Sequence, residues 1–494
     1  MRHLLFAAFI PLAVTSCSPP ATIGGAPSTA PAPSAVWNAK KAPESAAPFN
    51  SAERQRASRG TVIPADVASR MGDLTVGDVV DLALGNSPQT RTTWAQARAA
   101  AAAYGSARGH LLPSLDLTGT GGPSQAVSFS KTLLPTQRSS FTTSLTLSYL
   151  ILDFGQRGGA MAAAHEALFA ADLTHNATVQ TVVLQAESGY FSYQASRGLY
   201  DAADAAVKTA DANLAAANRR HDVGLATIAD VLQARTALSQ AKLNEQTAGG
   251  NVQAARAQLA LALGVAANSK FDVAPDTGVA PVMQMAENID TLIERVVRDR
   301  PDVAAARALA RQSQAQVRQA RSADLPSITL GASRGNVQSG SAALAGNTYA
   351  VSFGVAIPLF SGFSHEYDIV TARENAAAAA GRADQVRLVA ISEVFTSYYA
   401  LQTATQRVAT SAELLSSAVQ SEEVARGRYA EGVGSILDLL TAQSALADAR
   451  AQSVLSRWTW YASLAQLSHD AGVLGTRGEP NINLSPVTPG KPQR

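Results

Sequence analysis

The stretch Gly224-Leu225-Ala226-Thr227-Ile228-Ala229-Asp230-Val231-Leu232-Gln233-Ala234 has a counterpart 208 residues further on, in Gly432-Val433-Gly434-Ser435-Ile436-Leu437-Asp438-Leu439-Leu440-Thr441-Ala442. Each copy places a hydroxyl residue three positions before an aspartate and follows it with an apolar run. That spacing is a capping box, in which the hydroxyl accepts from the N3 amide and the carboxylate accepts from the N-cap amide. The glycine just upstream suits the positive φ that closes a preceding helix. Both stretches therefore predict the tip of a helix–turn–helix hairpin. Working outward, Tyr190-Phe191-Ser192-Tyr193-Gln194 pairs with Tyr398-Tyr399-Ala400-Leu401-Gln402 at the same offset of 208. Leu112-Pro113-Ser114-Leu115 pairs with Leu325-Pro326-Ser327-Ile328, and Asn86-Ser87-Pro88-Gln89 with Asp299-Arg300-Pro301-Asp302, both at 213. Four pairings in order mean two copies of one unit between about Leu74 and Gly475. The expected organisation is residues 1–16, 17–70, 71–270 (first repeat), 271–475 (second repeat) and 476–494.

Within each unit the hydrophobic period changes twice. Leu74 to His110 reads as helix broken at Pro88, and Ile289 to Ser322 as helix broken at Pro301. After the Leu-Pro marker the period becomes two: Leu145, Leu147 and Tyr149 alternate with Ser144, Thr146 and Ser148, and Val351, Phe353 and Val355 with Ala350, Ser352 and Gly354. Such alternation suits a strand with one face in lipid and one in water, or a half-buried strand of a soluble sandwich. The Gly- and Ser-rich stretches 119–140 and 335–347 read as long loops between strands. Proline then vanishes from Gly158 to Arg220 and from Gly362 to Glu431, predicting two rods of roughly 95 Å at 1.5 Å per residue. A return helix follows each turn, Ile228 to Leu263 and Ile436 to Leu467. Two strands per unit make four per chain, too few to close a barrel, and an open edge in lipid is not tolerated. The chain must oligomerise. Three copies supply twelve strands, with two or four copies as other closures.

The 494 residues carry a net charge of +2, one cysteine, and only 16% charged and 6% aromatic side chains against 46% hydrophobic ones. The apolar material is largely alanine, as in Ala99 to Ala103 and Ala376 to Ala380, which fits closely approaching helices better than a compact core. Near-neutral charge leaves no basic surplus to displace counterions, so nucleic acid is not an expected partner. A single cysteine excludes an internal disulfide framework and a CxxC zinc site. No HExxH, P-loop or strand-linked GxGxxG occurs, so neither catalytic residues nor a metal or other cofactor is expected.

Arg2 and His3 precede an apolar run from Leu4 to Val14, too short to span a bilayer and shaped like a secretory signal. Val14-Thr15-Ser16-Cys17 resembles the lipobox of bacterial lipoproteins, which implies cleavage before Cys17 and lipidation of that residue. Ser18 is not the aspartate that retains lipoproteins at the inner membrane, which implies the outer membrane. Residues 18 to 70, rich in Pro, Ala and Ser, read as a tether that buries little surface, and the tail beyond Gly475 as irregular.

The duplicated plan, the Leu-Pro-Ser markers and above all Arg428-Tyr429 followed by Gly432 to Leu440 resemble the TolC-like outer-membrane efflux family. The resemblance covers about 400 residues and both repeats. It implies a mostly α fold with a small membrane β-barrel contribution, assembled from duplicated strand-pair and long-helix units into a trimeric α-barrel/β-barrel duct. Lipidation at Cys17 is similar to the branch serving resistance-nodulation-division pumps. The resemblance implies a homotrimer in outer-membrane lipid of a Gram-negative bacterium. That trimer would receive small solutes or drugs from an inner-membrane pump through a periplasmic adaptor. A type I protein-secretion duct and a lipid-anchored periplasmic coiled-coil scaffold are the alternatives. By carry-over, Gly224, Leu225, Ala226, Gly432, Val433 and Gly434 are adaptor-contact candidates, and Asp230, Asp438 and Tyr429 are periplasmic-gate candidates. The family often has a second acid one turn after the Asp438 position, where this chain has Thr441, which implies a weaker charge ring.

Overall fold

The computed structural model describes residues 29–38, 71–126, 136–275, 283–285, 288–339, 346–474 and 484–486. Each repeat opens with a broken helix. α1 (Val76–Asn86) passes to α2 (Pro88–Gly109) through Ser87, whose hydroxyl accepts from the amides of Gln89 and Thr90. Pro88 at the first helical position has no amide to satisfy, so the break costs α2 nothing. α5 (Ile289–Asp299) and α6 (Pro301–Arg321) repeat the break at Pro301, where the N-cap residue Arg300 makes no side-chain cap.

Next come paired strands, β1 (Ser114–Ala126) with β2 (Thr136–Leu152), and β4 (Ser327–Ser339) with β5 (Gly346–Ala356). They form one antiparallel sheet in the order β1-β2-β4-β5, in which β1 and β5 have no further strand partner among the described residues. Register sorts the faces. Leu115 lies opposite Leu147, Leu147 opposite Ala332 and Ala332 opposite Val351; in the neighbouring rows Tyr149 meets Leu330, and Leu330 meets Phe353. Ser144, Thr146, Ser148, Thr329, Gly331 and Ser333 line the other face. The apolar face is bare, with Tyr349 88% and Phe353 66% exposed.

The rods follow. α3 (Gln156–Asp222) and α7 (Ser364–Ala430) have 67 residues each, about 100 Å of helix. α4 (Ile228–Ala262) and α8 (Ile436–Asp470) return for 35 residues each. α3 packs between α2 and α6 in its sheet-proximal half and between α4 and α8 in its distal half, while α7 packs on α6 and α8. The short helices stack end to end. Gly264, at φ 68°, brings the end of α4 against Asn86, and Gly472, at φ 69°, brings the end of α8 against Arg300. Thus α2 with α4, and α6 with α8, make two composite rods beside the two continuous ones. The main apolar cluster lies where α1, α3, α4 and α8 meet, around Val79, Val183, Phe191, Leu259 and Trp458. Elsewhere the seams are thin and rich in alanine, such as Ala217 with Ala234 and Ala418 with Ala449, as close helix approach demands.

Three expectations need correction. The glycine- and serine-rich stretches are not all loop: β1 and β2 pair from Ser114↔Ser148 out to Ala126↔Thr136, and β4 and β5 pair out to Val337↔Gly346. Glycine there makes room, since a Cβ on Gly121 would sit 2.5 Å from the Phe141 ring. Part of the presumed tether is packed. In residues 29–38 the buried Trp37 meets Phe169 edge-on at 4.9 Å, and its amide donates to Asn176 Oδ1 at 2.7 Å. Asn176 Nδ2 returns to the Trp37 carbonyl at 2.8 Å, and Trp94 Nε1 donates to the Ala30 carbonyl at 2.8 Å. Two tryptophans and a bidentate asparagine outweigh the proline-rich composition. The tail is not wholly irregular either, because β6 (Leu484–Pro486) pairs with β3 (Met283–Met285). Cys17 and the signal segment lie outside the described residues.

Candidate gate and docking turns

The two turns sit at the ends of α3 and α7 farthest from the sheet. Leu225 N donates to the Arg220 carbonyl at 2.7 Å and Gly224 N to that of His221 at 2.8 Å; Val433 N donates to Arg428 at 2.9 Å and Gly432 N to Tyr429 at 3.2 Å. This is a Schellman closure, and Gly224 and Gly432 both hold the φ of 78° that it needs. Each return helix then starts in a capping box. Asp230 Oδ2 accepts from Thr227 N at 2.8 Å while Thr227 Oγ1 accepts from Asp230 N at 3.3 Å. Asp438 Oδ2 accepts from Ser435 N at 3.4 Å, and Ser435 Oγ from Asp438 N at 3.1 Å. Both acids are therefore tied into their own turns. Asp230 is half-buried and Asp438 exposed.

The docking candidates form an apolar tip. Leu225 and Val433 are each 69% exposed, and Gly224 and Gly432 beside them are also exposed while Ala226 and Gly434 are half-buried. Space is short at one of these: a Cβ on Gly434 would lie 3.0 Å from Arg428 Cβ.

One residue that joins the two turns escaped the sequence reading. Arg220, in the last turn of α3, crosses to the second turn, where Nη1 donates to the Tyr429 carbonyl at 2.7 Å and to that of Ala430 at 3.4 Å. Its guanidinium stands 4.8 Å from the centre of the Tyr429 ring. Arg220 thus caps the C-terminal end of α7 with positive charge and ties the two hairpins of one chain together. Below it Ala217, Val231, Ala234 and Ile436 form a small buried cluster. Burial pushes the Tyr429 phenol above its ordinary pKa, with Arg220 pulling it down and Asp230 pushing it up. Tyr429 OH has no hydrogen-bond partner among the described residues. The structure so brings Asp230, Tyr429 and Arg220 into one neighbourhood and leaves Asp438 in its own cap. A signal for Arg220 was present, because Arg428 stands 208 residues after it in the second repeat.

Among the described residues no group of His, Cys, Asp and Glu could hold a metal ion, and no helix is long and apolar enough to cross a membrane.

The outer membrane efflux protein family profile matches residues 79–265 and 292–473, one segment in each repeat. The chain belongs to that family. Protein CyaE of Bordetella pertussis is 30% identical over 394 residues, spanning 78% of this chain and 82% of the relative. The toluene efflux pump outer membrane protein TtgC of Pseudomonas putida is 24% identical over 430 residues, spanning 82% and 87%. The outer membrane protein VceC of Vibrio cholerae superposes with a TM-score of 0.72 at 21% identity, covering 83% of this chain and 98% of that one. The fold is therefore that of the TolC-like channels, and the protein is an outer-membrane efflux component of a Gram-negative bacterium.

Proposed function

We propose that three copies of this chain close a passive exit duct, for small solutes delivered by an inner-membrane pump through a periplasmic adaptor. The observation that carries this reading is the open sheet: one face apolar and bare, the other polar, and neither edge strand paired further among the described residues. Such a sheet is viable in lipid only when neighbours close it. The four rods per chain extend the same closure as an α-barrel across the periplasm. The chain divides into a signal (1–16), an anchor segment (17–70), two repeats (71–270 and 271–475) and a tail (476–494). The repeats supply a path and the pump the energy, so the protein performs no catalysis and needs no cofactor.

At the tip, Gly224, Leu225, Ala226, Gly432, Val433 and Gly434 receive the adaptor, because exposed apolar side chains on rigid turns favour contact. Asp230, Asp438 and Tyr429 line the gate, steadied by Arg220. Lipidation of Cys17 anchors the chain. Trp94 lies fifteen residues below the sheet end of α2, about 22 Å of helix. The twelve residue steps from Cys17 to Thr29 span up to about 40 Å when extended, enough to return to the bilayer.

Conductance of the purified protein in planar bilayers tests this. Asp230→Ala with Asp438→Ala is expected to raise the conductance above that of the wild type. Unchanged conductance with lowered thermal stability would make the two acids caps and nothing more.

A further inference from the structure

A pocket of about 390 Å³ lies on the sheet-proximal end of α3, between α2 and α6, lined by Met161 and Ala162 and by the polar side chains of Tyr104, His165, Glu166, Arg311, Gln314 and Arg318. Its depth follows from helix positions. Arg318 is three residues from the end of α6, Tyr104 five from the end of α2, and His165 nine from the start of α3. At 1.5 Å per residue the pocket spans roughly 5 to 14 Å beneath the strands. Directly above it α3 and α6 pinch together, where a Cβ on Gly159 would lie 2.7 Å from Gln319 N. At and above that level Phe154, Leu112, Phe360, Phe363 and Tyr367 are exposed, Tyr367 at 71%. This apolar and aromatic belt marks where hydrocarbon gives way to headgroups. The pocket therefore sits at and just below headgroup depth.

It also lies on the outer wall. Tyr104, His165 and Phe169 form one continuous run of rings, with centroid separations of 5.4 and 5.8 Å, which ends on Trp37 of the packed 29–38 segment. A segment laid on the inner wall of every copy would obstruct the duct, so this face looks outward, toward the lipid.

The charges are unbalanced in the direction of an anion. Arg311 Nε donates to Glu166 at 2.8 Å, the one ion pair of the pocket among the described residues. Arg318 has no acidic partner among the described residues, and Arg108 stands 5.8 Å from the centre of the Tyr104 ring. Arginines beside an aromatic ring at headgroup depth suit a phosphate, which accepts paired hydrogen bonds from a guanidinium. We propose that this pocket binds the phosphate headgroup of an anionic phospholipid in the periplasmic leaflet of the outer membrane, one per chain.

The test uses the full-length assembly in non-ionic detergent, titrated with dihexanoyl phosphatidylglycerol and read by native mass spectrometry. One lipid per chain should be retained in preference to dihexanoyl phosphatidylcholine. Arg311→Gln with Arg318→Gln should weaken retention about fivefold per arginine, roughly thirtyfold together. Arg321→Gln, outside the pocket, should leave it unchanged, and the same spectra report whether each variant assembles. Equal retention of phosphatidylcholine, or undiminished binding by the double variant, overturns the proposal. Displacement of the lipid by an equal concentration of inorganic phosphate overturns it as well, since the site then takes a free anion.

Discussion

Replacing Arg220 with alanine separates what holds the two hairpin tips together from what folds each of them. Arg220 contributes a hydrogen bond of 2.7 Å to the Tyr429 carbonyl and a ring contact at 4.8 Å. A hydrogen bond to a charged group is worth about 1.5–3 kcal/mol and a partly exposed cation–π contact about 0.5–1 kcal/mol. Discounted for solvent at a half-exposed site, the tie amounts to about 2 kcal/mol, or roughly thirtyfold in the equilibrium between joined and parted hairpins of one chain. Its loss does not orphan the Tyr429 carbonyl, which also accepts from Gly432 N at 3.2 Å, so each turn stays folded. The expected result in planar bilayers is a rise in open fraction at low voltage, up to thirtyfold, with little change in the melting temperature of the assembly. Arg220→Lys, which keeps the charge and loses the planar stack, should fall between. Unchanged conductance with a lowered melting temperature would refute the argument and leave Arg220 as a cap on α7.

Asp172 is fully buried on α3 with no partner for either carboxylate oxygen among the described residues, and burial raises its pKa from 3.8 to about 7. The folded state therefore holds a proton that the unfolded chain releases, so stability should fall by up to about 4 kcal/mol as pH rises from about 4 to 7; Asp172→Asn should flatten that slope in melting curves taken across pH. Gly159→Ala, whose new methyl would meet the Gln319 backbone at 2.7 Å, should destabilise by about 1–3 kcal/mol in thermal melts. Gly158→Ala next to it, where nothing lies within 4 Å, should be neutral or stabilising by about 0.5–1 kcal/mol. Asn176→Ala removes both bonds to the Trp37 backbone and should speed hydrogen exchange at the Trp37 amide by tenfold or more, at about 1 kcal/mol per bond.

Much of the architecture was legible because it is written locally and twice. Pro88 and Pro301 mark the helix breaks, Gly224 and Gly432 the turns, and Thr227–Asp230 and Ser435–Asp438 the helix starts, each through contacts within a few residues. Contacts between distant segments were not legible. Trp37 sits in a proline-rich stretch that looks unable to pack, and its partner Asn176 lies 139 residues away. Strand ends were missed for a related reason, since Gly121 and Gly122 read as loop until Phe141 and Ser140 are placed opposite them. At the tip, the residues that form the caps were named from spacing alone. Arg220 was not, because its work is done across to the other repeat, on carbonyls that no residue pattern reveals.

A duct of this kind depends on an open sheet that only neighbouring copies can close. End-on cryo-electron microscopy of the assembly extracted from outer membranes tests it most directly. Threefold symmetry is predicted, with β1 of each chain hydrogen-bonded to β5 of the next and twelve strands around the ring, three times the four of one chain. Twofold or fourfold symmetry, or single chains with β1 and β5 uncovered, would contradict it.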